Sequence, residues 1–208
     1  MQVFLAGDNS GVFRSTNNGE GWIPVNSGLK NRFVQCLASN GKNIFAGTYG
    51  WSNTLHNGGV FVSTNYGESW TEANSGLAER DIRSLAVTSN ESVGIDLYAG
   101  SWDEAGSGHG VFRSTNNGKD WTSLNLALPW VTWINCFAFI PKGTGGTNIF
   151  TGTFGTYGPG AGIYLSADNG ESWSPVNTGI PHTIIYSLAV ISQAVSTFTE
   201  CRQEALYQ

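Results

Sequence analysis

Apolar and polar positions alternate in four short segments of this 208-residue chain: Val12-Phe13-Arg14-Ser15, Val60-Phe61-Val62-Ser63, Val111-Phe112-Arg113-Ser114 and Ile163-Tyr164-Leu165-Ser166. A period of two, carried by β-branched and aromatic residues, predicts strands. Each segment runs into a polar, glycine-bearing stretch that ends in tryptophan. A second short strand follows, as in Trp22-Ile23-Pro24-Val25 and Trp173-Ser174-Pro175-Val176. Two more strands belong to each unit. One aligns as Val34-Gln35-Cys36-Leu37, Ile82-Arg83-Ser84-Leu85, Ile134-Asn135-Cys136-Phe137 and Ile185-Tyr186-Ser187-Leu188. The other reads Ile44-Phe45-Ala46-Gly47-Thr48, Leu97-Tyr98-Ala99-Gly100-Ser101 and Ile149-Phe150-Thr151-Gly152-Thr153.

The polar stretches share one pattern, Ser-x-(Asn/Asp)-x-Gly-x-x-Trp. Its fixed residues are Ser15, Asn17, Gly19 and Trp22; Ser63, Asn65, Gly67 and Trp70; Ser114, Asn116, Gly118 and Trp121; and Ser166, Asp168, Gly170 and Trp173. The serines follow one another at steps of 48, 51 and 52 residues. A constant period of this kind marks a repeat architecture. The Asn or Asp is expected to bond the backbone two residues on, and the glycine to supply a positive φ, so each box is a hairpin connection. The tryptophan is expected to fold its apolar face back over the turn. Four antiparallel strands per repeat predict an all-β fold, a propeller of four-stranded blades.

The boxes resemble the Asp-box, or bacterial neuraminidase repeat, in register four times over roughly residues 1 to 190. Three carry Asn where that family most often has Asp, and Asn forms the turn equally well. The resemblance implies that each box joins the third and fourth strands of a blade, away from the ligand face, so its residues are structural. Blades are expected at about 1–27, 28–75, 76–126 and 127–178, with an extra first strand at 183–190. Residues 191–208 form a non-repeat tail, read as a truncated or frame-shifted end or a short capping helix. Met1 enters at the second strand of its blade. The expectation is a closed four-blade ring or a piece of a larger propeller, with a homodimer following if the ring is not closed.

Composition narrows the partners. With 28 glycines and only 12% charged residues, the chain suits a turn-rich β fold. A net charge of −5 without a basic block argues against nucleic acid, and no apolar run is long enough to span a membrane. No signal peptide precedes the first strand, while the resemblance points to an extracellular or periplasmic setting. Cys36 and Cys136 align with Ser84 and Ser187, a position that asks for a small buried side chain. Cys201 lies in the tail. His56, His109 and His182 are scattered without metal-ligand spacing, so neither metal nor cofactor is expected.

Antiparallel order places the loops between second and third strands on one face, together with the connections between blades. Those loops vary most: from strand glycine to box serine they run 8, 16, 14 and 14 residues. Variable insertions on one face mark the binding face of a repeat protein. They carry Tyr49, Trp51, His56, Trp102, Asp103, Glu104, His109, Phe154 and Tyr157, and the connections add Arg32, Arg80, Asp81, Trp130, Trp133 and His182. All four tryptophans outside the boxes map there. The binding candidates are Trp51, Trp102, Trp130, Trp133, Tyr157, Arg32 and Arg80. Exposed aromatics beside charges suit sugar stacking or a protein anchor; the alternative is that they pack the loops or close the central channel.

Two functions follow. One is a non-catalytic module that binds a protein or glycan through the loop face, resting on the aromatic cluster and on the absence of a catalytic constellation; similar Asp-box propellers include the photosystem II assembly factor family and many secreted bacterial repeat proteins. The other is a glycoside hydrolase or a piece of one. Sialidases, similar in their boxes, need an arginine triad, a Tyr–Glu pair and an acidic Asp. Here Arg14 and Arg113 occupy equivalent strand positions and read as structural, leaving Arg32, Arg80 and Arg83, and the family's Arg-Ile-Pro motif is absent. Xyloglucanase-like enzymes place aspartates on two facing propellers, and Asp8 before the Gly-rich turn resembles one of them. The remaining candidate acids are Asp81, Asp103 and Glu104; catalysis would require a pair of carboxylates across a sugar.

Overall fold

The computed structural model describes residues 2–7, 9–50, 58–78, 80–89, 94–102, 110–124, 128, 133–142, 146–154, 161–181 and 184–191. Among these residues fifteen strands form four antiparallel sheets in chain order. The first sheet has three strands, β1 (Val3–Gly7), β2 (Gly11–Ser15) and β3 (Ile23–Pro24). The second has β4 (Val34–Ser39), β5 (Ile44–Thr48), β6 (Gly59–Ser63) and β7 (Thr71–Glu72). The third has β8 (Ile82–Ser89), β9 (Ile95–Ser101), β10 (Val111–Ser114) and β11 (Thr122–Ser123). The fourth has β12 (Trp133–Pro141), β13 (Thr147–Phe154), β14 (Gly162–Ser166) and β15 (Ser174–Pro175). Every neighbour in a sheet is also the neighbour in sequence, so each sheet is a meander. Among the described residues no helix is long and apolar enough to cross a membrane.

The hydrophobic core lies between the sheets. Val12, Val25, Ile44, Phe61 and Trp70 fill the space between the first and second. Phe45, Leu85, Leu97, Phe112 and Trp121 fill that between the second and third, and Tyr98, Val111, Phe137, Ile149 and Trp173 that between the third and fourth. The alternation seen in the sequence does this sorting. Leu97 and Ala99 point to one core while Tyr98 between them points to the next. A middle sheet is thus buried on both faces, and all five residues of β5 are buried.

The hairpin boxes are alike. Each box serine is buried. In the third box Ser114 Oγ donates to Asn116 Oδ1 at 2.9 Å and accepts from the Gly118 amide at 2.9 Å. The same bonds recur at Ser15, Ser63 and Ser166. Two successive residues take positive φ in each turn, Asn117 at 61° before Gly118 at 81° in this one. That pairing is the signature of a type I′ turn, here set inside the longer connection between the third and fourth strands.

The tryptophans differ from expectation. Trp70, Trp121 and Trp173 reach sideways: their indole N–H groups donate to the Val25, Ala73 and Leu124 carbonyls of the preceding sheet, at 2.7, 2.8 and 3.2 Å. A large ring gains more contact in the groove between sheets than over a polar turn. Arg113 pairs with buried Asp96 at 2.5 Å, and Arg14 donates to the Tyr66 carbonyl at 2.9 Å, so both arginines have structural partners.

The strand glycines explain the small-residue position. A Cβ on Gly47 would lie 2.5 Å from Cys36 Sγ and 2.7 Å from Ile82 Cγ2; on Gly100 it would lie 2.3 Å from Ser84 Oγ and 2.5 Å from Ile134 Cγ2. Cys36 and Cys136 are both buried, and burial pushes the Cys36 thiol up to about 12. Such a thiol is not a nucleophile at neutral pH.

Candidate functional site

The first strand of the second, third and fourth sheets carries a bulge at the same place. Register slips between Val34 and Cys36, between Ile82 and Ser84, and between Ile134 and Cys136. The extra residues are Gln35, Arg83 and Asn135. A bulge re-aims a side chain out of the ladder, a device common beside binding sites. Asn135 uses its re-aimed amide to donate to the Ile185 carbonyl at 3.0 Å.

Arg83 points instead into aromatic rings. Tyr49, Trp102 and Phe154 each stand two residues after the strand glycine of their repeat. Together with Trp133 at the start of β12 they form one ladder. Tyr49 stacks on Trp102 with centroids 5.2 Å apart. Trp102 meets Trp133 edge-on at 5.1 Å, and Trp133 stacks on Phe154 at 4.3 Å and 5°. The Arg83 guanidinium carbon lies 4.3 Å from the Trp102 ring centre and 5.4 Å from that of Tyr49. Cation–π attraction there is worth about 0.5–2 kcal/mol, more as water is excluded. Trp102 is only 9% exposed, and its buried indole N–H has no acceptor among the described residues.

Asp81 braces this ladder. Its Oδ1 accepts from the Gly50 amide at 2.8 Å, and its carbonyl accepts from the Trp102 amide at 2.9 Å. It therefore ties the segment after Tyr49 to the one carrying Trp102. Arg32 and Arg80 are exposed, and neither makes a ring contact among the described residues. The Arg32 carbonyl accepts from the Gly11 amide at 3.0 Å. Asp8, Trp51, Asp103, Glu104, Trp130, Tyr157 and the three histidines lie outside the described residues, as does Cys201. Among the described residues no cluster of His, Cys, Asp or Glu has the arrangement to hold a metal.

Of the binding candidates, then, Trp102 and Trp133 are brought together. Sequence reasoning kept Arg83 only among the arginines left for a sialidase-type triad and did not place it with the loop-face aromatics. Its only signal is a charged residue in register with Gln35 and Asn135 inside an otherwise apolar strand; the bulge itself leaves no mark in the sequence.

No family model matches the chain, and no curated protein does. Solved structures do. A GH74 xyloglucanase from Xanthomonas campestris matches with a TM-score of 0.63 at 19% identity, over 87% of this chain and 29% of the enzyme. The GH74 enzyme of Niastella koreensis matches with a TM-score of 0.56 at 22% identity, over 85% of this chain and 24% of its own. The chain therefore spans less than a third of the length of either enzyme.

Proposed function

We propose, on the all-β propeller fold that these likenesses share, that this chain is a binding module without catalytic groups of its own, recognising a glycan or a protein through the loop face. The observation that carries the reading is Trp102: a buried indole donor with no acceptor among the described residues, set in an aromatic ladder under the Arg83 cation. Buried donors in native proteins are almost always paired, so an unpaired one marks a place for an external oxygen. A hydroxyl or carboxylate oxygen would accept from the indole while a ring or apolar edge covers Trp133. Asp81 is held by backbone groups and acts here as a brace.

A second reading takes up the names of the two GH74 enzymes above. In it the chain contributes one wall of a glycoside hydrolase cleft, with Asp8 or Asp103 among its acids.

Calorimetric titration with xyloglucan oligosaccharides and with sialosides, alongside turnover assays on the same sugars, separates the two. The binding reading expects heat without hydrolysis, and at least a tenfold weaker affinity in Trp102→Phe, which keeps the ring and loses the donor. Hydrolysis that disappears in Asp8→Ala or Asp103→Ala would replace it with the second reading. Equal affinity in Trp102→Phe and wild type would remove the loop-face ladder from either.

A further inference from the structure

Five asparagines of this chain stand directly before a glycine: Asn18, Asn40, Asn57, Asn117 and Asn169. Such a pair is open to loss of the side-chain amide, because the bare glycine lets its main-chain nitrogen approach the asparagine Cγ closely. Asn57 lies outside the described residues. The other four fall into two settings.

Asn18, Asn117 and Asn169 sit inside boxes, in the left-handed conformation at φ of 58°, 61° and 60°. The glycine amide that would attack is occupied in each. Gly19 donates to Ser15 Oγ at 2.9 Å, Gly118 to Ser114 Oγ at 2.9 Å and Gly170 to Ser166 Oγ at 2.7 Å, and all three serines are buried. To attack, the nitrogen must leave that bond, lose its proton and turn toward Cγ, which opens the turn. The serine hydroxyl thus guards the pair.

Asn40 sits in the other kind of connection, the hairpin from β4 to β5. Ser39 pairs with Ile44, and the Asn40 amide donates to the Asn43 carbonyl at 3.2 Å. Gly41 stands at the exposed tip with a φ of 91°, and a Cβ there would meet nothing within 4 Å. Among the described residues its amide donates to no acceptor. The Asn40 side chain is held by one long bond, from Nδ2 to Asn117 Oδ1 at 3.3 Å, across to the third sheet's box.

We propose that Asn40 is a site of spontaneous deamidation and that the box serines hold the three box asparagines back from the same reaction. The Gly41 nitrogen gives up its proton to hydroxide and bonds to Asn40 Cγ. The Cγ–Nδ2 bond breaks, and Nδ2 leaves as ammonia with a proton from water. Water then opens the succinimide. Cleavage of its bond to Cγ leaves aspartate; cleavage of its bond to the main-chain carbonyl carbon leaves isoaspartate, with the chain running through Cγ. Nothing is oxidised or reduced, and the co-reactant is water. The product adds a negative charge to a chain already at −5 and removes the donor that ties the second sheet to the third.

The test holds the intact chain in mildly alkaline buffer, folded in one arm and in urea in the other. Mass spectrometry follows each Asn-Gly peptide over time, and isoaspartyl methyltransferase labelling identifies the rearranged product. In urea the four pairs should convert at similar rates, because their local sequence chemistry is the same. In the folded chain Asn40 should convert about tenfold or more faster than Asn18, Asn117 and Asn169, since a made amide bond must open first at the box pairs. Ser166→Ala, which leaves the Asn40 hairpin untouched, should raise the rate at Asn169 and not at Asn40. The comparison of folded and urea arms in wild type stands even if that variant folds poorly. A folded-state rate at Asn40 no greater than that of the box pairs overturns the proposal. So do box asparagines that convert as fast folded as in urea, or a folded Ser166→Ala chain with no gain at Asn169.

Discussion

The first box and the third open on the same five residues, S-T-N-N-G, with the same buried serine, yet Trp22 is 38% exposed and Trp121 is 5% exposed. The difference lies outside the box. Trp121 has the second sheet beside it, with the Ala73 carbonyl and the Ser75 carbonyl in reach; Trp22 has no sheet on that side among the described residues. The hairpin is therefore a local property of eight residues, while the burial of its tryptophan is a property of the neighbour. The repeat encodes two things at once, a turn that closes on itself and a plug for the sheet before it.

The comparison is broken most easily at the plug. Trp121→Ala should cost about 3–5 kcal/mol, the usual loss for a fully buried aromatic ring. Trp22→Ala should cost no more than about 0.5 kcal/mol, as exposed substitutions do. Urea denaturation of both variants checks this. Equal losses would mean that the ring stabilises its own turn and that the lateral seat is incidental.

A smaller effect sharpens the other half. Ser114→Ala and Ser15→Ala each remove the acceptor for a turn amide, Gly118 at 2.9 Å and Gly19 at 2.9 Å. Leaving such a group unmet costs about 1–3 kcal/mol. Because the bonds are internal to the box, the two losses should match within the error of the denaturation curves. A loss confined to the third box would tie the serine to the neighbouring sheet after all.

The same division explains what the sequence discloses. The strands, the boxes and the four-fold order were legible because period-two alternation and turn chemistry are local. The small-residue position at Cys36 and Ser84 was legible too, since four aligned repeats show what is tolerated there, and Gly47 and Gly100 supply the crowding. What the sequence does not state is where a side chain goes once it leaves its own strand. Trp70 reaching Val25, Arg83 turned out by a bulge over Trp102, and Asp81 bridging to Gly50 are all contacts between repeats. Aromatics on the loop face could be counted from the residues alone. That Trp102, Trp133, Tyr49 and Phe154 stack into one ladder depends on strand ends converging from three sheets.

The fourth box offers the finest contrast, because it alone has a carboxylate at the turn position. Asp168 accepts from the Ser172 hydroxyl, from the Ser172 amide at 2.9 Å and from the Ser166 hydroxyl at 2.8 Å. The Ser172 hydroxyl bond, foremost among these, holds the Asp168 carboxyl below its ordinary value of 3.8. A folded-state value below the unfolded one means the contribution is present above that ordinary value and is lost as pH falls through the depressed one. Asparagine accepts in the same geometry without titrating, as Asn65 does from the Ser69 amide at 2.9 Å. Asp168→Asn should therefore leave stability near neutral pH almost unchanged and flatten the acid limb of a stability profile taken from pH 6 down to about pH 2. Since Asp168 is exposed, the effect is small, and it is read as the difference in slope between variant and wild type. Identical slopes would show that the Asp168 charge adds nothing beyond the hydrogen bonds that an asparagine box makes.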